Sequence, residues 1–455
     1  MTRLAPEALP LERVQENEPT RVLVESRSFL DPRLPEYGRF RSWFTRPLLS
    51  RPAVMDAEQT RSLDHDLPAL LQLLQSLPDR LFGGDRDAFA RAVGWRDPTS
   101  IAALRLLSGP PTGVGRADLV NSPDGFKAVE FNTSSSLGSF EFGELCRAVL
   151  ADPGFRPAAE RQRLTYVDPM QRLAETLLAQ LRHAASEPPV VALVGWVSAP
   201  FVVDASLFIG LLRDAGFTVL EGTISDLETR SDGVFLSGTR VDVVYRTFLL
   251  KTVAEDPSAS ALLQPLSDAS EAGLVSVFAP LNADVFGSKT CFAMLSDDAN
   301  RGVFSEPELG VIDRLVPWTR AMSVAGRRSH PEGGSLEEYV ISNRGELVLK
   351  PSVGHAGRGV VAGWMTTQPE WESLVHDAVG GDYVVQRRVE SVAERFLVPS
   401  GDGDLAPAAC FLHWGLFVTP AGLSGGFVKG LLDRTQDIRY LGDGSHVGCV
   451  FHSSN

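Results

Sequence analysis

The sequence predicts a mixed α/β protein built from several subdomains, and three observations lead to this fold class. The 455 residues are enough for two or three subdomains with a sizeable core. Residues 189–250 alternate buried-strand and helix patterns, which is typical of an open, mainly parallel sheet. Residues 115–132 show the period-2 alternation of an antiparallel hairpin.

Composition and charge are those of a soluble globular chain, and they exclude two classes of partner. Hydrophobic residues make up 44% and charged residues 22% of the chain, both ordinary values. The net charge of −14 argues against a nucleic acid or an anionic membrane as the main partner. The four cysteines are scattered and form no CxxC pair, so neither a disulfide framework nor a zinc site is predicted.

The sequence also predicts the compartment. The first 20 residues lack a basic segment followed by an apolar one, so no signal segment is expected there. Glycine, serine, proline and aspartate interrupt the apolar residues 189–212, which favours a strand, a loop and a helix over a membrane span. We therefore expect a cytoplasmic protein, and the sequence leaves its oligomeric state open.

The order of predicted elements divides the chain into four parts. Residues 1–110 are an arm and a helical region, and residues 111–187 are a hairpin with connecting helices. Residues 188–280 form a Rossmann-like α/β part. Residues 281–455 contain two lysine-bearing segments, a glycine-rich loop and a strand that runs into a hinge.

Capping and leucine spacing predict the N-terminal helices. The tetrapeptide that begins at Asp56 is a plausible helix start, and leucines then recur at helical spacing from Leu63 to Leu74. Further helices are predicted over residues 86–93 and 101–107.

The hairpin carries four polar side chains at alternate positions. We predict a three-residue loop at 123–125 that ends in a left-handed glycine. This loop places Asp118 opposite Glu130. It also places Arg116 opposite Asn132, so that all four side chains share one face.

This polar face has two possible explanations. Carboxylate and amide oxygens suit a hard cation such as Mg²⁺ that carries phosphate, and a guanidinium suits a transferred anionic group. An ordinary solvated face of a hairpin would look the same, and the hairpin alone does not decide between them.

Serines follow the hairpin and precede a helix predicted from Phe140 to Leu150. Ser134, Ser135 and their neighbour could cap that helix. Equally, their hydroxyls could contact the carboxylate or phosphate of a substrate, and both explanations stay open. A second amphipathic helix is predicted within residues 162–186.

The middle part is predicted to bind substrate and no dinucleotide. Strands are expected at residues 190–194, 217–220 and 241–245, with a helix at residues 203–215. No GxGxxG follows the first strand, so a dinucleotide site is not supported. Arg246, at the end of the last strand, is a candidate substrate contact, with a surface ion pair as the alternative.

Two lysines and three glycines mark a phosphate site in the last part. Lys289 stands at the start of a predicted helix, and Lys350 ends a predicted strand. A loop with three glycines follows Lys350 directly: Gly354, Gly357 and Gly359. Glycine lets the backbone approach phosphate closely, although a long hairpin turn would also need it. The lysine immediately before the loop favours phosphate.

The strand at residues 382–386 runs into a polar hinge whose backbone groups suit an adenine edge. The candidate hinge residues are Gln386, Arg387, Val389 and Glu390. Short strands are predicted in residues 408–451, around Lys429.

These pieces together resemble the ATP-grasp superfamily, and specifically its circularly permuted branch related to glutathionylspermidine synthetase. The Arg-x-Asp motif at 116–118, eleven intervening residues and the Glu-x-Asn motif at 130–132 are similar to that branch. The order is also the permuted one, because the metal-binding strands precede both lysines. The resemblance spans about residues 116–429, with a weaker match over the N-terminal helices.

The resemblance implies roles for the candidate residues. Asp118, Glu130 and Asn132 would bind two Mg²⁺ ions that bridge the ATP β- and γ-phosphates. Lys289 and Lys350 would contact the α- and β-phosphates. The glycine loop would close over the phosphates, and residues 386–390 would form the adenine and ribose hinge. Arg116 would stabilise an acyl phosphate and the adduct that follows, with Lys429 as a second cation.

We therefore predict an ATP-dependent carboxylate–amine ligase that forms an amide or peptide bond and releases ADP and phosphate. Its partners would be a small carboxylate and an amine, such as an amino acid, a peptide or a polyamine. The sequence after Asn132 departs from the relative's acidic continuation, which implies a different acyl substrate. The alternatives are an ATP-grasp small-molecule kinase and a non-catalytic nucleotide-binding protein.

Overall fold

The computed structural model describes residues 14–26, 29–134, 137–181, 186–198, 204–322, 334–354, 357–399, 405–432 and 445–453. Over these ranges the chain is a mixed α/β protein with four sheets, as predicted. Within them no helix is long and apolar enough to cross a membrane.

The N-terminal part is mainly helical, as its leucine spacing predicts. Its elements are α1 (Glu18–Glu25), α2 (Gly38–Trp43), β1 (Ala53–Met55), α3 (Ala57–Phe82), α4 (Arg86–Ala92) and α5 (Pro98–Leu106). Asp56 caps α3 in a capping box with Gln59. The helix ends at Gly83, whose φ of 60° is the left-handed conformation that glycine adopts easily. Leucines of α3 pack into the main core.

The next part contains the hairpin and three helices. Its elements are β2 (Gly115–Ser122), β3 (Gly125–Asn132), α6 (Phe142–Ala151), α7 (Arg156–Gln162), β4 (Leu164–Thr165) and α8 (Pro169–Ala179). The N-cap of α6 is Glu141, and no side chain caps this helix. The capping explanation for the serines is therefore wrong, because the helix begins well after them.

The middle part contains the predicted parallel sheet. Its elements are β5 (Val190–Gly195), α9 (Ser206–Asp214), β6 (Thr218–Thr223), β7 (Leu227–Arg230), β8 (Gly233–Leu236), β9 (Thr239–Val241), β10 (Val243–Arg246), α10 (Leu250–Ala254), α11 (Ala259–Glu271) and β11 (Ser276–Phe278). The strand order is β11-β10-β5-β6, and all three pairings are parallel. Strands β7, β8 and β9 form a separate antiparallel sheet.

A small antiparallel sheet follows. The elements of this part are a 3₁₀ helix (Leu281–Gly287), α12 (Lys289–Ser296), α13 (Glu306–Leu315), β12 (Thr319–Ala321), α14 (Leu336–Ser342), β13 (Leu347–Pro351), β14 (Val361–Ala362), α15 (Gln368–Ala378) and β15 (Tyr383–Arg387). The strand order is β12-β15-β13-β14. This sheet packs on α14 and α15 around a core of its own that includes Trp371.

The largest sheet joins distant parts of the chain. The last strands are β16 (Ala393–Pro399), β17 (Leu405–Thr419), β18 (Gly422–Leu431) and β19 (His446–Ser453). The order is β1-β19-β18-β17-β2-β3, with β16 added on β17 and β4 on β19. β2 pairs antiparallel with β17, so the early hairpin extends a sheet of C-terminal strands. β1, from the predicted helical region, also joins this sheet through β19.

Candidate functional site

A cleft lies where the largest sheet faces the small antiparallel sheet, and we call it the central cleft. Its empty space, including space open to solvent, is about 1120 Å³. Its lining contains nine of the predicted site residues: Asp118, Glu130, Lys289, Lys350, Gly357, Gln386, Arg387, Val389 and Lys429. The early hairpin and the late segments therefore meet at one site.

The hairpin pairs its polar residues as predicted. Asp118 lies opposite Glu130. Arg116 lies opposite Asn132. The alternating positions of these residues place them on the same face of the sheet. β2 also pairs antiparallel with β17 on its other edge, so this face is part of the largest sheet.

The predicted loop is wrong by one residue, and a β-bulge compensates for it. Ser122 pairs with Gly125, so the turn consists of residues 123–124 alone. Gly125 does have a positive φ, of 91°. A register shift beside Asp118 leaves Val129 as an extra residue in β3. The bulge restores the pairing that a longer loop would have produced.

Asp118 is held by its neighbours on this face. Arg116 Nε donates to Asp118 Oδ1 at 2.8 Å, and Asn132 Nδ2 donates to Asp118 Oδ2 at 3.3 Å. Burial raises the pKa of the Asp118 carboxyl, but the Arg116 guanidinium and Lys429 outweigh it and hold that pKa below its usual range. Asp118 therefore stays ionised at neutral pH. Arg116 also donates to the carbonyl of Leu137 and is 5% exposed.

Glu130 and Lys289 form an ion pair across the cleft. Lys289 Nζ lies 3.0 Å from Glu130 Oε1 and 3.3 Å from the carbonyl oxygen of Gly354. The backbone N–H of Lys289 donates to the carbonyl of Ser352, just beyond β13. Thr290 Oγ1 also bonds Ser352 Oγ at 2.9 Å. The start of α12 is thereby fixed to the strand that bears the second lysine.

Lys350 donates a hydrogen bond to the bulge residue of the hairpin. Its Nζ donates to the carbonyl oxygen of Val129 at 3.2 Å and to Gln386 Oε1 at 2.6 Å. Gln386 Nε2 in turn donates to Thr319 Oγ1 at 3.1 Å. Burial lowers the pKa of Lys350 to about 8, against the opposing effect of Glu130. The ammonium group is thus held in a buried, hydrogen-bonded position.

Lys429 is the last of the predicted cations. The residue opposite it on the neighbouring strand was not indicated by the sequence. His413 on β17 lies directly opposite Lys429 on β18, and both line the central cleft. Burial lowers the pKa of Lys429 to about 7, although Asp118 acts in the opposite direction. The ring centroid of Phe427 is 5.3 Å from Lys429 Nζ.

The predicted glycine loop and the predicted hinge line the central cleft only in part. Gly357 lines the central cleft, and Gly354 lines a second pocket described below. Gly359 has a φ of 74°, and a Cβ there would lie 2.8 Å from Pro351 Cγ, so this position requires glycine. Gly359 lines neither pocket, and Glu390 is exposed and also lines neither. The hinge side of the cleft consists instead of residues 386–389 and Ser391.

Arg246 is not placed to contact a substrate. Its side chain has no solvent exposure and forms a buried ion pair with Asp284, at 2.7 Å. Its Nε donates to the carbonyl of Ala279 at 2.7 Å, and Nη1 donates to the carbonyl of Phe248. Arg246 therefore has a structural role in place of the predicted substrate contact. The alternative prediction, a surface ion pair, is also wrong, because its pair with Asp284 is buried.

A second pocket, of about 430 Å³ with space open to solvent, adjoins the central cleft. Glu130 lines both. Other residues that line the second pocket include Trp95, Asn132, Ser134, Lys251 and Gly354. The predicted substrate residue Ser134 is therefore beside the polar face of the hairpin. Ser135 lies outside the described residues.

Several residues of the central cleft carried no signal in the sequence. Trp364 lines it, and the guanidinium of Arg388 lies 4.0 Å from its ring centroid. Trp414 lines it as well and is 2% exposed. Trp414 lies in β17 and Trp364 in a 3₁₀ turn (Gly363–Met365), and a single tryptophan is usually a core residue, so only the tertiary structure identifies these positions.

One solved structure is similar to this chain in fold. No family model matches the chain, and no curated protein matches it either. The chain is similar in structure to a glutathione synthetase-like effector from Globodera pallida in its apo form. The TM-score is 0.56 at 15% identity, over 96% of this chain and 98% of that one. A provisionally named gamma-glutamylcysteine synthetase from Methylobacillus flagellatus aligns with a TM-score of 0.41 at 14% identity, over 86% and 87% of the two chains.

Proposed function

We propose that this protein is an ATP-dependent carboxylate–amine ligase with a circularly permuted ATP-grasp fold. One observation carries the proposal. The carboxylates of the early hairpin and the lysines of the late segments line the same cleft, with Lys289 Nζ 3.0 Å from Glu130 Oε1. Oxygen ligands for a cation thus face ammonium groups suited to phosphate. The similarity in fold to a glutathione synthetase-like effector supports the same class of protein.

The hairpin face fits Mg²⁺. In the described part of the chain no three His, Cys, Asp or Glu side chains cluster in a way that could hold a metal ion. The face instead offers the carboxylates of Asp118 and Glu130 and the amide oxygen of Asn132. Mg²⁺ in phosphoryl-transfer sites is usually bound by one or two carboxylates together with substrate phosphates, so a small donor set is sufficient. Bound there, Mg²⁺ would neutralise charge on the phosphates.

The two lysines would contact the nucleotide phosphates. Lys289 and Lys350 now bond protein oxygens, those of Glu130, Gly354, Val129 and Gln386. Three of these partners are neutral oxygens, and a phosphate between the lysines would replace them with charged phosphate oxygens. The base would lie further along the cleft, where Trp364 and Val360 offer apolar surface beside the backbone of residues 386–389.

The chemistry needs no nucleophile from the protein. The γ-phosphoryl group passes from ATP to a carboxylate oxygen of the acid, the bond to the β-phosphate oxygen breaks, and ADP leaves. The amine then attacks the carbonyl carbon of the acyl phosphate, loses a proton, and phosphate leaves. Arg116 and Lys429, beside Asp118, are the cations that would balance the developing oxyanion. Cys146, Cys291 and Cys410 are not suited to nucleophilic catalysis, since burial raises the pKa of each thiol.

The experiment is a matrix of acids and amines incubated with Mg·ATP, in which ADP, AMP and phosphate are measured and the products identified by mass spectrometry. The proposal predicts ADP and phosphate only where an acid and an amine are both present. A phosphorylated product that survives added amine would identify a kinase instead. AMP with pyrophosphate would contradict the proposal. A nucleotide that binds without turnover, even in a single-turnover assay, would indicate a non-catalytic protein.

A further inference from the structure

One position on the cleft face of the largest sheet has no side chain. Gly415 on β17 lies directly opposite Asp118 on β2 and directly opposite Phe427 on β18. Residues that face each other across neighbouring strands point to the same side of the sheet, so these three residues form one row. A glycine therefore separates a proposed metal ligand from an aromatic ring, and all three residues line the central cleft.

The ring of Phe427 occupies the space above Gly415. A Cβ on Gly415 would lie 2.6 Å from Cε1 and 2.6 Å from Cζ of Phe427, which is closer than non-bonded carbon atoms approach. The φ of Gly415 is not positive, so the backbone conformation does not require glycine here. Glycine weakens the interior of a strand, and it often marks a close approach by another group. At this position the approaching group is the Phe427 ring.

Two cations contact the same ring. The guanidinium carbon of Arg116 lies 5.6 Å from the ring centroid of Phe427, and Lys429 Nζ lies 5.3 Å from it. Both distances are within the range of about 6 Å in which a cation is attracted to an aromatic face. Arg116 and Lys429 are 5% and 8% exposed, so little water competes for these contacts. They are also the two cations that the proposed function assigns to the developing oxyanion.

The ring is fixed by its own surroundings. Phe427 is 2% exposed, and its ring centroid lies 5.0 Å from that of Phe142 on α6. Arg116 and Lys429 carry like charges and repel each other, and the negative face of the ring offsets part of that repulsion. A fixed ring therefore determines where two charges of equal sign can rest on one face of the sheet.

We propose that Phe427 is a positioning residue that holds Arg116 and Lys429 at the acyl-phosphate end of the central cleft, and that Gly415 provides the space for its ring. The proposal rests on the ligase function for what the two cations do. It adds the group that keeps them in place, and it gives a glycine in the middle of a strand a functional reason. Packing of the ring in the core alone is the other explanation, and the test separates the two.

The first measurement needs no substrate. The chain contains only five lysines, so the full chain with isotopically labelled lysine gives a simple NMR spectrum. The Lys429 signals are identified by their loss in Lys429→Arg. We expect the Hε protons of Lys429 to resonate upfield of those of the exposed Lys251, because Lys429 lies over an aromatic ring. Phe427→Leu should remove that upfield shift.

The second measurement is turnover with Mg·ATP and the acid and amine that the substrate matrix identifies. Phe427→Leu should lower kcat about tenfold, the size of a desolvated cation–π contact, and change the KM for ATP by less than about twofold. The KM stays because other groups, Lys289 and Lys350, would contact the nucleotide phosphates. Gly415→Ala keeps the phenyl group but forces it out of its position, so it should reproduce the loss of kcat and of the upfield shift.

Two further variants are the controls. Phe140→Leu removes a buried ring of the same aromatic cluster, one that stacks on Phe417 with 4.2 Å between the centroids. It should lower the free energy of unfolding as Phe427→Leu does, but leave the Lys429 signal and kcat unchanged. Phe427→Tyr keeps the aromatic face and should keep the upfield shift. The shift in the wild type needs no variant, so it tests the proposal even if Phe427→Leu does not fold.

Three outcomes would overturn the proposal. These are a Lys429 signal without an upfield shift, a shift that survives Phe427→Leu, and a kcat that Phe140→Leu lowers as much as Phe427→Leu does. The first two concern the ring alone and leave the ligase function standing. A shift that behaves as expected in a protein that never releases ADP would support the hold of the ring on the cations and contradict the ligase function.

Discussion

Lys289 Nζ and Glu130 Oε1 lie 3.0 Å apart although the two residues are 159 positions apart in the chain. Lys289 is 5% exposed and is fixed by the backbone bond from its N–H to Ser352. Glu130 is held by the antiparallel pairing of β2 and β3. The ion pair therefore joins two rigid elements. Its length of 3.0 Å shows that the hairpin directly contacts the segment that bears Lys289.

The first prediction concerns Glu130. Glu130→Gln removes a proposed metal ligand from a face that stays polar, so we expect ADP release to fall about 100-fold or more while the fold is kept. Steady-state kinetics and circular dichroism check the two parts. Glu390→Gln is the matched control, because Glu390 belongs to the predicted hinge yet is exposed and outside the cleft. Full activity of Glu130→Gln with Mg²⁺ would contradict the metal assignment.

The second prediction concerns Lys350. Lys350→Met should abolish the thermal stabilisation that Mg·ATP gives the wild-type protein, because a buried phosphate contact is lost. The free energy of unfolding without nucleotide should change by no more than about 1–3 kcal/mol, since the carbonyl of Val129 and the amide of Gln386 each lose a donor. Thermal melts with and without nucleotide measure both. A variant that ATP stabilises as well as the wild type would show that Lys350 does not contact the nucleotide.

The third prediction is a pH dependence. Burial lowers the pKa of Lys429 to about 7 in the folded protein, below the value near 10.4 in the unfolded chain. Between these two values the unfolded state binds more protons, so stability rises with pH. Below about pH 7 the cost of burying the ammonium is present in full, and it is relieved as pH rises toward 10.

Urea denaturation of Lys429→Met and the wild type tests this dependence. The variant should gain most over the wild type at pH 6.5, and the gain should shrink steadily up to pH 9. Lys350 also has a lowered pKa, but it is present in both proteins and cancels in the difference. A difference that is constant over this range would rule out a lowered pKa for Lys429.

The fourth prediction separates a structural from a substrate-binding role for Arg246. Arg246→Gln leaves Asp284 buried without its cation and should lower the free energy of unfolding by about 3–5 kcal/mol. Arg39→Gln breaks an exposed pair with Asp214 and should cost less than about 1 kcal/mol. Urea denaturation measures both. A stable Arg246→Gln variant with a raised KM for the acid would restore the substrate contact that the structure argues against.

Local patterns in the sequence were enough to predict much of the fold. The capped start of α3 and its leucine spacing depend only on neighbours along the chain, and so does the apolar run of β5. Lys289 and Lys350 could be found because one starts a helix and the other stands near the end of a strand. In contrast, His413 and Trp95 acquire their places from strand pairing and packing between distant segments, which no local pattern encodes.

The hairpin shows how a correct prediction can depend on two errors. A three-residue loop and a regular ladder predict that Asp118 faces Glu130. The structure has a two-residue turn and a bulge at Val129, and the two deviations cancel. A bulge is set by the twist of the strands and by its contacts, here with Lys350, so the alternation of residues did not reveal it.

The bulge at Val129 also limits how this hairpin can change during evolution. Deletion of Val129 would remove the carbonyl that Lys350 binds and shift the residues on one side of it by one position. A one-residue insertion in the turn would shift them in the opposite sense. Lineages that alter the length of this segment should therefore do so by paired insertions and deletions, one at the tip and one beside the carboxylates.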